Sequence, residues 1–263
     1  MSPSWRDRVT IFFEPARIYL ARRPRGLRAR PGIALAVDCG TATGAPWQAA
    51  LEALGRSLGT LAWQSADARV TVSNDFVRFA LVPDAGRLRD DEERLAAARH
   101  HLRAVYGERA EPWRIVLGSG DETALAAGID PELIDGLVAT LTAANLRPLA
   151  IEPFLATAFN LCRRSIGSGP AWLAVAEPRR LCLAYFDRGA WQRVRSERVR
   201  APLQDELPAA LERSRLADGG PAGAGRVLLV SREENRVEFP DGSGWSLEPM
   251  RLDAESSPPA MRH

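Results

Sequence analysis

The sequence predicts an α/β protein built from two similar halves, each of which opens with a β-hairpin. The segment 173–184, Leu-Ala-Val-Ala-Glu-Pro-Arg-Arg-Leu-Cys-Leu-Ala, is an apolar run, a Glu-Pro turn and a second apolar run, which is typical of a hairpin. The segment 10–21, Thr-Ile-Phe-Phe-Glu-Pro-Ala-Arg-Ile-Tyr-Leu-Ala, repeats this pattern, including the Arg two positions after Pro and the Leu-Ala ending. Segments with apolar residues at steps of three and four, which indicate helices, follow both copies. The repetition indicates an internal duplication.

The first half is predicted to alternate strands and helices around a small insert. In chain order its further elements are a strand ending at 33–37, a helix from 47 to 61, a strand at 69–73, an inserted strand, helix and strand at 76–117, a helix from 131 to 145 and a strand at 148–151. Asp90 or Asp91 is expected to cap the inserted helix, and Gly107 to end it. Asp130-Pro131 is expected to start the next helix, since Asp is a good cap and Pro fits the first helical position.

The second half is predicted to consist of a helix, three strands, a second helix and a short β-rich end. The elements are a helix at 154–164, strands at 171–176, 181–186 and 191–199, a helix beginning at Pro208, a strand at 226–230 and a hairpin turning at Asp241-Gly242. The predicted domains are therefore 1–152, with the insert at about 76–117, and 153–250. A disordered tail is expected at 251–263.

Composition excludes several classes of protein. The net charge is +2, and inspection shows that all 35 basic residues are Arg, so the Lys of a P-loop or of amine catalysis is missing. No run approaches the roughly 20 apolar residues that span a bilayer, and the N-terminus lacks a secretory h-region, so we expect a cytosolic protein. The basic cluster at 22–30 is interpreted as a solvated turn, not a nucleic-acid site. The three cysteines are expected to be small buried hydrophobes, with no metal site.

The order of elements describes duplicated actin-like (ribonuclease-H-like) halves with a small inserted βαβ subdomain. A conventional doubly wound sheet fits less well, because it needs no hairpin at the start of each half. The sequence resembles PilM and the cytoplasmic part of GspL, actin-like proteins of type IV pilus and type II secretion platforms. The resemblance rests on Val-Thr-Val-Ser-Asn-Asp-Phe-Val-Arg-Phe-Ala-Leu-Val-Pro at 70–83, on the crossover at 130–154 and on the three strands at 171–199. It covers about residues 10–230.

The resemblance also says where nucleotide would bind. Members of this family that bind ATP carry an Asp-x-Gly-Ser/Thr turn in the first hairpin of each half, because Gly lets phosphate approach backbone N–H groups and Asp orients magnesium. Here the corresponding turns are Glu14-Pro15-Ala16 and Glu177-Pro178-Arg179. Pro removes an N–H donor, no Gly remains, and Glu adds a longer anion. We therefore expect no catalysis and no cofactor.

An alternative enzyme hypothesis rests on Val37-Asp-Cys-Gly-Thr-Ala-Thr-Gly44, which has the form of a phosphate loop after an apolar strand. In this alternative Asp38 positions magnesium, and Gly40, Thr41 and Thr43 cradle the phosphates of ATP. The protein would then be an active actin-like ATPase or phosphotransferase. The start of a helix at Pro46-Trp47 argues against it, because in actin-like enzymes this loop turns back into a strand.

The leading hypothesis is a non-catalytic cytoplasmic scaffold of a type IV pilus or type II secretion platform. The resemblance implies that the cytoplasmic tail of a bitopic inner-membrane protein docks beside the insert, which would hold this chain at the membrane only indirectly. The implied partner-binding residues are Ser73, Asn74, Phe76 and Arg78. The competing interpretation is that Phe76 belongs to the core and Asn74-Asp75 is a turn. No nucleic-acid partner is expected, and homo-oligomer formation stays open.

Overall fold

The computed structural model describes residues 6–24, 33–41, 44–60, 65–120, 122–217, 225–233, 237–240 and 242–252. In chain order its regular elements are β1 (Asp7–Phe13), β2 (Arg17–Arg23), β3 (Ile33–Asp38), α1 (Gln48–Thr60), β4 (Ala66–Val72), β5 (Val77–Pro83), α2 (Asp91–Tyr106), β6 (Arg114–Leu117), β7 (Thr123–Ile129), α3 (Pro131–Ala143), β8 (Leu146–Pro153), α4 (Phe154–Ile166), β9 (Ala171–Glu177), β10 (Arg180–Asp187), β11 (Ala190–Arg198), α5 (Leu203–Ala217), β12 (Arg226–Ser231) and β13 (Ser246–Met250). None of the helices within these ranges combines the length and the apolar character that a bilayer crossing requires.

The chain divides into two compact units. The first holds the described residues up to Val77 together with 129–157, and the second holds 78–128 and 158–252. The unit boundaries therefore pass through β5, β7 and α4. The domain bounds predicted from the sequence stay predictions, and the predicted disordered tail falls almost wholly outside the described residues, which end at Leu252.

The first unit is built on a mixed five-stranded sheet in the order β3-β2-β1-β4-β8. The strands β1, β2 and β3 pair antiparallel, whereas β4 runs parallel to β1, and β8 parallel to β4. The central strand β1 is buried on both faces from Val9 to Phe13. Its apolar run and Glu-Pro turn thus form the hairpin that the sequence predicts.

The second unit contains a sheet of the same design, in the order β11-β10-β9-β12-β13. Here too the first three strands pair antiparallel, and the last two run parallel to the central strand β9. The two Glu-Pro hairpins therefore occupy equivalent places, β1–β2 and β9–β10. The repeated strand order confirms the duplication predicted from the sequence.

The second unit also contains the insert, a three-stranded sheet in the order β5-β7-β6 with α2. The predicted insert, about 76–117, leaves out the central strand β7, which lies beyond Leu117. The sequence does not predict β7 as a strand, because most of its residues are Ala or Gly, which are depleted in strands. Its small side chains are required by packing, since Ala124 and Ala126 are fully buried in the core shared with α2.

Helix ends follow the predicted signals. The Asp90 carboxylate accepts a hydrogen bond from Glu93 N at 2.8 Å, and the Asp130 carboxylate accepts one from Glu132 N at 2.9 Å. Gly107 ends α2 with a φ of 69°, and Asn145 follows α3 with a φ of 56°. These local contacts explain why α2 and α3 begin and end where the sequence indicates.

Two details of the second half differ from expectation. Helix α5 begins at Leu203 and contains Pro208 in its interior, because buried Leu207, Ala210 and Leu211 anchor its apolar face in the core and offset the missing hydrogen bond. The predicted hairpin at 237–247 is absent from the described residues 237–240 and 242–252, since β13 instead pairs parallel to β12. Asp241 itself lies outside the described residues.

Candidate functional site

Each unit has a Glu-Pro turn in a hairpin of its five-stranded sheet, and the two turns lie at equivalent positions of the duplicated sheets. Glu14 and Glu177, the glutamates of these turns, are both buried, with 7% of each residue exposed. The first turn links Phe13 to Arg17, and the second links Glu177 to Arg180. The resemblance implies glutamates that face a phosphate site, but the structure buries both side chains in the protein interior.

The backbone of these turns is poorly suited to hold phosphate. A phosphate nest needs successive N–H groups, with alternate residues in the left-handed region. No residue of 14–16 or 178–179 has a positive φ, and Pro15 and Pro178 carry no N–H. The Glu14 N–H donates within the turn to Arg17 O at 3.3 Å.

The loop of the alternative hypothesis lies beside the first turn. Cys39 N donates to Ala16 O at 2.8 Å, which extends the pairing of β3 with β2 by one residue. The Asp38 carboxylate accepts a hydrogen bond from Arg17 Nε at 2.6 Å, and this ion pair is exposed to solvent. Hydrogen bonding to Asp38 is the main reason that the pKa of Arg17 is raised.

The glycine of this loop has no special geometry. A Cβ on Gly40 would meet no atom within 4 Å, and its φ is not in the left-handed region. Thr41 is exposed, and Thr43 lies outside the described residues. Burial, followed by the charge of Asp38, raises the pKa of the Cys39 thiol to about 11. Of the four predicted loop residues, the structure therefore gives a defined polar contact to Asp38, and that contact is to Arg17.

The predicted partner-binding segment lies between β4 and β5. Ser73 is buried, its N–H donates to Phe13 O at 2.9 Å, and its Oγ accepts a hydrogen bond from Asp75 N at 3.1 Å. Phe76 N donates to Ser73 O at 3.1 Å. Ser73 thus starts a turn that continues the strand pairing at the end of β4.

The remaining residues of this segment have different environments. Asn74 is fully buried, and its Oδ1 accepts a hydrogen bond from Leu155 N at 3.0 Å, in the first turn of α4. Phe76 is half-buried, with its ring centroid 5.6 Å from that of Phe13. Arg78 is also half-buried. The turn and the ring packing agree with the competing interpretation, and partner binding by the four residues stays a prediction.

The structure describes no grouping of His, Cys, Asp and Glu within its resolved ranges that could hold a metal ion. Cys162 and Cys182 are buried as predicted, whereas Cys39 is half-buried. Burial raises the pKa of the Cys162 thiol to about 12, so it stays protonated at neutral pH.

A scan against known protein families gives no match, and no curated protein matches either. Solved structures do match. A protein of unknown function from Bacteroides thetaiotaomicron, described as having an actin-like ATPase fold, superimposes with a TM-score of 0.63 at 12% identity, over 86% of this chain and 82% of that one.

This chain has the actin-like fold. The cytoplasmic domain of EpsL, an inner-membrane component of the type II secretion system of Vibrio cholerae, matches with a TM-score of 0.58 at 12% identity, over 95% of this chain and 92% of that domain. A PilM–PilN type IV pilus biogenesis complex supplies a match with a TM-score of 0.57 at 13% identity, over 92% and 88%. The fold predicted from the hairpins and helices is confirmed.

One contact of the site was not predicted. Arg17 and Asp38 are 21 positions apart, and the register of β2 with β3 places them opposite each other. The signal in the sequence was a pair of neighbouring strands with opposite charges at their ends, Arg17 and Asp38, but the length of the β2–β3 connection does not specify this register.

Proposed function

We propose that this protein is a non-catalytic scaffold of an inner-membrane assembly platform, of the kind found in type II secretion or type IV pilus systems, and that it binds a bitopic membrane partner. The fold shared with the EpsL cytoplasmic domain and with the PilM–PilN complex supports this class of role. In this role the chain lies on the cytoplasmic side and reaches the membrane through its partner.

The observation that carries the proposal is the pair of Glu-Pro turns. They occupy equivalent hairpins in two sheets of the same strand order, so both differ in the same way from a turn that could hold phosphate. In each turn the Pro has no backbone N–H to donate, and no residue of either turn has a positive φ. A protein that retains the fold while both phosphate turns are altered is better suited to binding another protein than to hydrolysing nucleotide.

The loop at 38–41 gives weaker support to the alternative ATPase. The Asp38 carboxylate that would orient magnesium is held by Arg17 at 2.6 Å, and its exposure means that water screens the pair. Breaking such an exposed pair costs little, so a titration with Mg-ATP distinguishes the two functions.

We place the partner contact at the segment 73–78, and within it at Phe76 and Arg78. These two residues retain accessible surface, whereas Ser73 and Asn74 are buried and support the turn and α4. Aromatic residues and Arg are both enriched at protein interfaces, so Phe76 and Arg78 are suited to supply binding energy. Ser73 and Asn74 then hold the segment in position through their buried hydrogen bonds.

Calorimetric titration tests the proposal. The protein is titrated first with Mg-ATP and then with a peptide of the cytoplasmic tail of the bitopic membrane protein encoded beside it. We expect peptide binding and no ATP binding, and we expect Phe76→Ala or Arg78→Ala to weaken the peptide by at least about tenfold. Leu216→Ala, which truncates an exposed apolar residue of α5, is the matched control and should bind as the wild type does.

Two results would overturn the proposal. Binding of ATP that disappears in Asp38→Ala would identify the chain as a nucleotide-binding enzyme that uses the loop at 38–41. Peptide binding that Leu216→Ala weakens as much as Phe76→Ala does would place the partner outside the segment 73–78.

A further inference from the structure

Strand β3 is an apolar edge of the first sheet. Its residues 33–37, Ile-Ala-Leu-Ala-Val, are all apolar, and Ile33 is 44% exposed. Leu35 and Val37 pair with Leu20 and Ile18 of β2, which are fully buried. Paired residues share a face of the sheet. The row of apolar side chains that β2 buries in the core therefore continues onto β3, where it is partly exposed.

The other edge strands of the described sheets carry the features that discourage strand addition. Charged residues and prolines interrupt them: Arg147 and Pro148 in β8, Arg193 and Arg195 in β11, Glu248 and Pro249 in β13, Arg78 and Pro83 in β5, and Arg114 in β6. Proteins use such residues to prevent unwanted pairing at sheet edges. Strand β3 has no Pro, and its one charge is Asp38 at its end.

The register shows which backbone groups of β3 point outward. Cys39 N donates to Ala16 O, directly opposite, so this is a hydrogen-bonded pair of the antiparallel ladder. Such pairs alternate along the ladder, so Val37, Leu35 and Ile33 also bond to β2. Ala34, Ala36 and Asp38 therefore direct their backbone N–H and C=O groups away from β2, beside small side chains that allow close approach.

We propose that a second copy of this chain pairs with β3, edge to edge and antiparallel, in a two-fold dimer centred on Leu35. In this register Leu35 lies opposite Leu35 of the second copy, Ile33 lies opposite Val37, and Ala34 lies opposite Ala36. Each outward backbone group of Ala34 and Ala36 gains a partner, and the apolar row becomes continuous across the two sheets. The strand is thus complementary to itself, as an isologous interface requires.

The negative charge of Asp38 favours antiparallel over parallel pairing of the two copies. Antiparallel pairing centred on Leu35 separates the two Asp38 carboxylates by six residues along the strands, or about 20 Å. Parallel pairing would place the like charges side by side, which destabilises a strand pair. A single strand pair buries less than the roughly 1,200–2,000 Å² of a stable complex, so we expect association that depends on protein concentration.

Sedimentation velocity over a concentration series tests the dimer. We expect the wild type to associate as concentration rises, and Ala36→Pro to weaken association by at least about tenfold. A Pro is tolerated at an edge position whose N–H faces away from the sheet, so this variant should remain folded. A thermal unfolding curve of Ala36→Pro verifies that it does.

Disulfide trapping tests the register in a Cys39→Ser background. Leu35→Cys should give a disulfide-linked dimer on mild oxidation, because residues at the two-fold axis approach within the Cβ distance of a disulfide. Leu149→Cys, at an exposed apolar position on the opposite edge of the same sheet, is the control and should stay monomeric.

Three outcomes would overturn the dimer: a wild type that stays monomeric at every concentration, association that Ala36→Pro leaves unchanged, or equal trapping of Leu35→Cys and Leu149→Cys. None of these measurements uses nucleotide or a membrane peptide. Failure of the dimer and failure of the scaffold proposal are therefore distinguishable.

Discussion

The Asn74 side chain caps α4 from a distant part of the chain: its Oδ1 accepts a hydrogen bond at 3.0 Å from the N–H of Leu155, 81 residues later. The contact joins the end of β4 to the first turn of α4, where backbone N–H groups have no partner within the helix. Phe12 packs edge-on against Phe154 beside it, with ring centroids 4.7 Å apart. Residues 73 and 74 therefore connect β4 to β1 and to α4 within the first unit, in addition to lying in the candidate binding segment.

Replacement of this cap should destabilise the fold. We expect Asn74→Ala to lower the free energy of unfolding by about 1–2 kcal/mol, because it removes the acceptor for Leu155 N in a buried site. Urea denaturation measures the change. Asn160→Ala, an exposed asparagine on the same helix, should change stability by no more than about 0.5 kcal/mol. Equal losses in the two variants would contradict a capping role.

Two glycines of the protein should respond to alanine in opposite directions. A Cβ on Gly128 would lie 2.7 Å from Trp113 Cε3 and 3.3 Å from Leu102 Cδ1, so Gly128→Ala should cost about 1–3 kcal/mol. A Cβ on Gly59, in α1, would meet nothing within 4 Å. Gly59→Ala should therefore stabilise the protein by about 0.5–1 kcal/mol through helix propensity. Thermal unfolding of both variants checks the signs, and the same sign in both would refute the packing argument.

Cys39 should react slowly with thiol reagents in the native protein. Burial, with the neighbouring Asp38 charge, raises the pKa of its thiol to about 11, so little thiolate forms near pH 8. Asp38→Asn removes a negative charge that disfavours the thiolate, and we expect the reaction rate to rise about two- to fivefold. Asp187→Asn, which removes one negative charge elsewhere in the chain, is the control for a general effect of charge. A slower reaction in Asp38→Asn would show that the carboxylate does not act through charge.

Glu212 should contribute stability that acid removes. Trp245 Nε1 donates to its Oε1 at 2.8 Å and Arg215 Nε donates to its Oε2 at 2.9 Å, and these two donors lower the pKa of Glu212. A group whose pKa is lower in the folded state stabilises the protein above its unfolded pKa, and this stability is lost as the pH falls through the folded pKa. The carboxylate is 42% exposed, so screening limits the contribution to about 0.5–1 kcal/mol.

Urea denaturation of Glu212→Gln and wild type across pH measures this contribution. The variant should be less stable near neutral pH. The difference should shrink as the pH falls below about 4.3, the ordinary pKa of Glu, and vanish below the lowered pKa of the folded state, where the carboxyl group is neutral in both states. Glu92→Gln, an exposed residue of α2, supplies the control for a general effect of charge. A difference that stays constant with pH would mean that packing, not ionisation, is responsible.

Local sequence signals were sufficient for the hairpins and the helix ends. A Glu-Pro turn between apolar runs predicts β1–β2 and β9–β10. Arg188 and Gly189, both with positive φ, form the two-residue turn that joins β10 to β11. Asp130-Pro131 and Gly107 define their helix ends through contacts within one turn. Such features depend on neighbours in the chain, and the repetition of one of them was enough to predict the duplicated fold.

Tertiary structure alone decided which strands pair and which polar residues are buried. Strand β7 lies between β5 and β6 although its composition is poor for a strand, because small residues are needed beneath α2. Ser73 and Asn74 look like turn residues available to a partner, yet the ends of β1 and α4 bury them. The sequence by itself determined the repeated hairpins. Packing between distant segments, which no local pattern encodes, decided strand order, burial and the apolar edge at β3.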